Sequence, residues 1–155
     1  MLMPFHLAIP VNDLEETKAF YTETLGSVIG RSSDIWCDFN FFGHQLTAHL
    51  SPDETKEVRS NVVDEIPLPV RHFGIVLSWD NWHALKDRLE AKEIDFISKP
   101  HIRFKGQVGE QATMYFYDPS YNAIEFKSFK QFSQLFESFD KIKKSLSVSN
   151  HKIFP

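Results

Sequence analysis

The stretch 4–25, PFHLAIPVNDLEETKAFYTETL, and the stretch 70–82, VRHFGIVLSWDNW, are two versions of one pattern. Each opens with a histidine inside a short apolar run, His6 in one and His72 in the other. Each then passes into a helix start, at Asn12-Asp13 and at Asp80-Asn81. A third run, NAIEFKSF over 122–129, places Glu125 in a similar strand-like setting. Two imidazoles and one carboxylate are the ligand set of an open divalent-metal site, one that leaves positions free for substrate and oxygen. His6 and His72 sit at equivalent places of two repeats 66 residues apart, which is hard to reconcile with two scattered histidines.

Outward from these runs, the order of elements repeats. Residues 4–11 alternate as a strand. Asp13 followed by Glu16 has the capping-box arrangement. Leu14, Thr17, Phe20, Tyr21 and Leu25 follow helical spacing, and Gly26 suits the position after the helix end. Strands are expected over 27–31, 34–41 and 44–50, the last two joined near Gly43. The polar stretch 51–69 reads as a solvated connector closed by Pro67 and Pro69. A strand over 71–78 follows, then a helix capped by Ser78 or Asp80 with an inward stripe of Trp82, Leu85 and Leu89. Strands around 94–97, 101–105, 112–118 and 122–127 complete the second round, with DPSYN (118–122) as the last turn. The pattern is βαβββ twice: module 1 over about 4–50, the connector over 51–69, module 2 over about 70–128. Phe129, Phe132, Leu135, Phe136, Phe139 and Ile142 predict an amphipathic helix over 129–145, and 146–155 read as a flexible tail.

Alternation along the strands adds a second regularity. His6 shares a face with Ala8 and Pro10, His72 with Gly74 and Val76, Glu125 with Ala123, and His49 with Gln45 and Thr47. In each strand the opposite face is bulky and apolar. The bulky faces are expected to pack on the helices, and the others to line a cavity into which the ligands point.

Composition bounds the rest. A chain of 155 residues, 1–128 plus the tail, suits one domain. Net charge is −4, and no basic stripe favours nucleic acid. Cys37 is the single cysteine, so no internal disulfide forms and a cytoplasmic setting is expected. The start lacks a signal-peptide pattern, and no apolar stretch reaches the ~20 residues of a membrane span. Fifteen phenylalanines build either a core or an apolar cavity wall.

HLAIPVNDLEETKAFYTETLG, HFGIVLSWDNW and YDPSYNAIEF together resemble the vicinal oxygen chelate superfamily, over residues 4–127. That group includes glyoxalases, type I extradiol dioxygenases, fosfomycin-resistance enzymes and bleomycin-binding proteins. GRSSDIWCDFNFFGHQLTAHLSP and PHIRFKGQVGEQATMYFYDP resemble a small subgroup described as extradiol-dioxygenase relatives. The resemblance implies an α+β fold: two βαβββ modules forming an eight-stranded, incompletely closed cup around a metal. It implies His6, His72 and Glu125 as metal ligands. It places His49 at the fourth inward position, where extradiol enzymes carry an acid–base histidine and glyoxalases a carboxylate. It places Tyr115 near the substrate. The resemblance departs at Gly106, where extradiol enzymes carry a further histidine; His101 is near but off register.

Read from the residues alone, His49 is a fourth ligand, an acid–base group or a structural residue. His44 and His83 read as surface groups, and Cys37 as inert. The leading expectation is an Fe2+-dependent extradiol-type dioxygenase acting on a small catechol-like vicinal diol with dioxygen. Alternatives are a glyoxalase-type lyase or isomerase using Mn2+, Ni2+ or Zn2+, and a non-catalytic drug-sequestering protein. A homodimer is expected, with no nucleic-acid or membrane partner. Whether one cup is built within a chain or by exchange of modules is left open.

Overall fold

The computed structural model describes residues 3–56, 60–63 and 66–137. Module 1 runs β1 (His6–Val11), α1 (Leu14–Ala19), β2 (Val28–Ser32), β3 (Trp36–Phe41) and β4 (His44–Leu50). Asp13 caps α1 as the spacing predicts, its side chain accepting from the Glu16 N–H at 2.8 Å. After α1 a π-helical turn, Phe20–Thr24, carries the chain to Gly26, which sits at φ +76°, where only glycine is free of strain. The connector is more structured than its polarity suggests. A 3-10 turn (Pro52–Glu54) precedes a hairpin of β5 (Ser60–Val63) and β6 (Ile66–Pro69).

Module 2 runs β7 (His72–Leu77), α2 (Trp79–Ala91), β8 (Phe96–Arg103), β9 (Gln111–Tyr117) and β10 (Ala123–Phe129). The cap of α2 is Ser78, whose Oγ accepts from the Asn81 N–H at 3.3 Å, and Trp82, Leu85 and Leu89 are its buried stripe. The segments expected as two strands around 94–97 and 101–105 form the single strand β8, with register shifts on either side of Ser98. The C-terminal segment differs from the helix expected over 129–145. Phe129 remains in the β10 ladder opposite Gln111, and only a 3-10 turn, Phe132–Phe136, follows. Phe132 and Phe136 are exposed there. Residues 138–155, and with them the rest of that helix and the flexible tail, lie outside the described residues.

The modules form two four-stranded sheets of the same order, β1-β4-β3-β2 and β7-β10-β9-β8. In each, the first and last strands pair in parallel and the other pairs are antiparallel. His6 pairs with Gln45 and His72 with Ala123, so the two registers superpose rung for rung. Among the described residues no helix is long and apolar enough to cross a membrane.

The bulky faces of both sheets meet in one core. Phe39, Phe41 and Leu46 of module 1 share it with Met114, Phe116, Ile124 and Phe126 of module 2. Phe41 lies against Phe73 and Phe126, with ring centroids 5.8 and 6.0 Å apart. Burying each such ring contributes roughly 1.5–3 kcal/mol. The Tyr21 hydroxyl, on the turn after α1, donates to Asp118 Oδ2 of module 2 at 3.0 Å. Asn122 Nδ2 donates to the Pro10 carbonyl at 2.9 Å. The DPSYN turn thus clamps the two modules together, and the small and polar faces of both sheets are turned away from the shared core.

Candidate metal centre

The outward face of module 2 gathers a compact polar set. β7 supplies His72 and β10 supplies Glu125 and Lys127, while β9 supplies Thr113 and Tyr115. His72 Nε2 is 3.3 Å from Glu125 Oε2. Lys127 Nζ is 3.0 Å from the same oxygen. Thr113 Oγ1 donates to Glu125 Oε1 at 2.7 Å. The Tyr115 hydroxyl lies 3.5 Å from His72 Nε2, with the rings edge to face. Glu125 is only 6% exposed, so these contacts are what make a buried carboxylate tenable. Gly74 pairs with Glu125 across the β7–β10 ladder. A Cβ there would lie 1.7 Å from the Glu125 carbonyl oxygen, so only glycine lets the strands approach at this rung.

The charges follow from the geometry. Burial pushes the Glu125 carboxyl up, but contacts with His72, Tyr115, Thr113 and Lys127 outweigh burial and bring its pKa down to about 2. Glu125 and the Pro69 carbonyl hold His72 above its ordinary value, against the opposing effects of burial and Lys127. Burial and the neighbouring carboxylate keep Tyr115 protonated well beyond its usual range. Tyr115 is therefore a hydrogen-bond donor and not a base.

A cavity of about 320 Å³ opens over this set. His72, Ser98, His101, Arg103, Tyr115 and Glu125 line its floor and sides, and Asn61, Leu68 and Pro69 of the connector, with Val70 next to them, line another side. No residue of module 1 lines it. The polar connector, read from sequence as a plain spacer, is thus a wall of the site.

His6 is elsewhere. It is exposed on the outward face of the first sheet, with Nδ1 3.0 Å from Gln45 Oε1. Among the described residues no cluster of three or more His, Cys, Asp or Glu side chains suits a metal. The structure therefore brings His72, Glu125 and Tyr115 together and leaves His6 and His49 on the other module. His49 is exposed, opposite Pro10 and Trp36.

The register also differs from the expected fourth position. Glu125 pairs with Gly74, two rungs beyond His72, and the matching residue of module 1 is Thr47, paired with Ala8. His49 matches Lys127, one outward residue farther along. Of the other histidines, His101 lines the cavity, His44 Nδ1 accepts from the Phe5 N–H at 2.9 Å, and His83 lies against Trp79 and Trp82 on α2. Gly106 is a turn residue at φ +72°. Cys37 is fully buried, and burial raises its thiol above the usual range.

Lys127 and Asp38 are the polar residues that the sequence reading missed. Both stand on the outward parity of their strands, Lys127 with Glu125 and Asp38 with Trp36 and Asn40. Strand alternation over 36–41, and two residues beyond Glu125, puts both on that face.

Two donors of the kind expected for a divalent cation meet here, short of the three the sequence predicts. An imidazole Nε2 and a carboxylate oxygen converge, an ammonium group already occupies a cation position beside that oxygen, and the Nδ1 of His72 is 2.9 Å from the Pro69 carbonyl. A carbonyl only accepts, so Nδ1 carries the hydrogen and Nε2 keeps its lone pair in the neutral ring.

Comparison with known proteins agrees with this architecture. A family model described as the Glyoxalase/Bleomycin resistance protein/Dioxygenase superfamily matches residues 4–126. A glyoxalase/bleomycin resistance protein/dioxygenase from Alicyclobacillus acidocaldarius has 32% identity over 86% of this chain and 96% of its own, with TM-score 0.72. The fosfomycin resistance protein FosX from Listeria monocytogenes has 18% identity over 86% and 98%, with TM-score 0.64. A lactoylglutathione lyase from Agrobacterium tumefaciens has 19% identity over 88% and 97%, with TM-score 0.58. The last two share the fold alone. A comparison with curated proteins gives no match.

Proposed function

Because the chain belongs to the glyoxalase/bleomycin resistance protein/dioxygenase superfamily, we propose that it is a divalent-metal-dependent enzyme whose centre is assembled from two copies of the chain. His72 and Glu125 of one copy and His6 of the other hold the metal. The observation that supports this reading is the back-to-back packing of the modules: each outward face is half of a cup, and the two halves within one chain point apart. A twofold dimer that sets module 1 of each copy over module 2 of the other closes two cups at once.

The leading chemistry is extradiol-type dioxygenation of a small catechol-like diol, with Fe2+ as the metal. When bound, such a metal polarises the adjacent oxygens of a diol and orients dioxygen beside them. The chain's own residues divide the remaining work. Tyr115 donates a hydrogen bond into the cavity. The connector hairpin, with Leu68 and Pro69 on the cavity wall, limits water on that side. His49, on the module 1 face, moves protons. A glyoxalase-type mechanism needs a carboxylate base on the last strand of module 1, and the residue level with Glu125 there is Thr47, which cannot serve.

Anaerobic reconstitution with Fe2+, Mn2+, Ni2+ or Zn2+, followed by oxygen uptake on catechols, tests the chemistry. Subunit mixing tests the assembly. His6→Ala and His72→Ala homodimers are each expected to be inactive. Mixed in equal amounts and re-equilibrated, they regain about one quarter of wild-type sites, because each heterodimer keeps one cup free of both substitutions. No recovery on mixing rejects the shared centre.

A further inference from the structure

Asp38 is the most heavily hydrogen-bonded carboxylate on the module 1 face, and nothing in the proposed chemistry uses it. It is 6% exposed. Thr47 Oγ1 donates to its Oδ1 at 2.6 Å. Arg31 donates to its Oδ2 through Nε at 3.2 Å and Nη2 at 3.1 Å. Gln45 Nε2 donates to the same oxygen at 3.2 Å. Burial pushes this carboxyl up, but the bonds from Thr47, Arg31 and Gln45 outweigh it and hold it below the ordinary range.

An ionised carboxylate accepts and cannot donate. Gln45 must therefore present its amide NH2 to Asp38, and its carbonyl oxygen is left facing His6 Nδ1 at 3.0 Å. That oxygen is also only an acceptor, so Nδ1 of His6 carries the hydrogen and Nε2 is left as a lone pair. The orientation of one amide is thus fixed by the acceptor on its far side. The two modules reach one result by different means: the Pro69 carbonyl does for His72 what the Asp38–Gln45 pair does for His6. The carboxylate and its hydroxyl partner have also exchanged strands. In module 2, Glu125 on the last strand faces Tyr115 on its neighbour; in module 1, Thr47 on the last strand faces Asp38.

We infer that Asp38 is a positioning residue which, through Gln45, locks His6 in the Nδ1–H tautomer and so presents Nε2 for metal binding. The inference rests on the reading of His6 as a ligand, but its first link concerns the metal-free protein and stands apart from it. Loss of such outer partners typically weakens metal binding about 10- to 100-fold.

The test uses the full chain with 15N-labelled histidine and no metal. Long-range 1H–15N correlation spectra, with His6 assigned by its absence in His6→Ala, are expected to show the Nδ1–H form in the wild type. Asp38→Ala and Gln45→Leu shift His6 towards Nε2–H. Asp38→Asn, which retains an acceptor for Gln45, preserves the wild-type tautomer, as expected if an acceptor and not the charge itself sets the amide. Asp38→Leu, closer in volume, replaces Asp38→Ala if the latter does not fold. Titration with Zn2+ alone is then expected to show affinity about 10- to 100-fold weaker in Asp38→Ala and Gln45→Leu, and near wild type in Asp38→Asn. An Nε2–H His6 in the wild type overturns the inference, as does an Asp38→Ala protein with unchanged tautomer and unchanged affinity. A wild-type chain that holds the Nδ1–H tautomer but binds no metal overturns the metal-centre reading instead, and leaves the hydrogen-bond relay standing.

Discussion

Lys127 Nζ lies 3.0 Å from Glu125 Oε2, the oxygen that also faces His72 Nε2 at 3.3 Å. The ammonium group therefore stands in for a cation at the carboxylate, and any incoming metal must displace it. Lys127→Met is expected to tighten divalent-metal binding roughly three- to tenfold, a screened fraction of the charge interaction at this separation. Isothermal titration with Mn2+ measures it, and weaker binding in the variant would show that Lys127 supports the site instead of competing for it.

The same pair sets a pH dependence. The folded pKa of His72 lies above its ordinary 6.5, so its share of stability is fully present below 6.5 and is lost as pH rises through the raised value. Glu125, brought from 4.5 to about 2, contributes above 4.5 and loses its share as pH falls towards 2. The pair thus favours the metal-free fold most between these limits. Metal binding takes up the neutral His72 ring, so affinity climbs as pH rises towards the raised His72 pKa, and at pH below 6.5 close to one proton is released per metal. Titration at pH 6 in buffers of differing ionisation enthalpy reads that proton; zero release there contradicts the assignment of His72.

His49 distinguishes catalyst from ligand. It stands one outward residue beyond the rung of Glu125, so His49→Ala is expected to keep about one metal per chain while oxygen uptake falls roughly 10²–10⁴-fold, the range for a lost proton-transfer group. Metal analysis beside oxygen-electrode rates checks both. Full activity in the variant removes His49 from the mechanism, and lost metal makes it a ligand.

Gly74 tests the floor of the site. Gly74→Ala forces a methyl group against the Glu125 carbonyl oxygen, 1.7 Å from its ideal Cβ position. The expected cost is about 3 kcal/mol, the upper end of ordinary overpacking. Thermal melting measures that cost, and metal titration of the folded fraction should show weakened binding because β10 must shift at Glu125 itself. A wild-type melting point means the two strands are not held this close.

Local chemistry made much of this legible from the sequence. Asp13 caps its helix, Ser78 is the one of the two expected residues that caps the other, Trp82, Leu85 and Leu89 face inward, and His72, Glu125 and Tyr115 share a face, because capping and strand alternation are decided within a few residues of chain. The βαβββ repeat was legible for the same reason. Two local readings went differently. The connector carries polar side chains yet pairs its backbone as a hairpin, and Phe129 joins a ladder that a 3.6-residue periodicity cannot foresee.

What only the tertiary structure decided is which faces meet. Alternation puts His6 and His72 on the polar face of their strands, but it is silent on whether two such faces look at each other or apart. Packing of Phe41 on Phe73 and Phe126, with the Tyr21–Asp118 and Asn122–Pro10 bonds, turns the bulky faces inward together. The polar faces are then necessarily on opposite sides. Rung-for-rung pairing likewise had to be seen before Thr47, and not His49, could be set level with Glu125, because register depends on contacts between residues far apart in the chain. The sequence by itself determined the modules and their polar faces; long-range apolar packing decided that His6 and the His72–Glu125 pair stand on different faces of one chain.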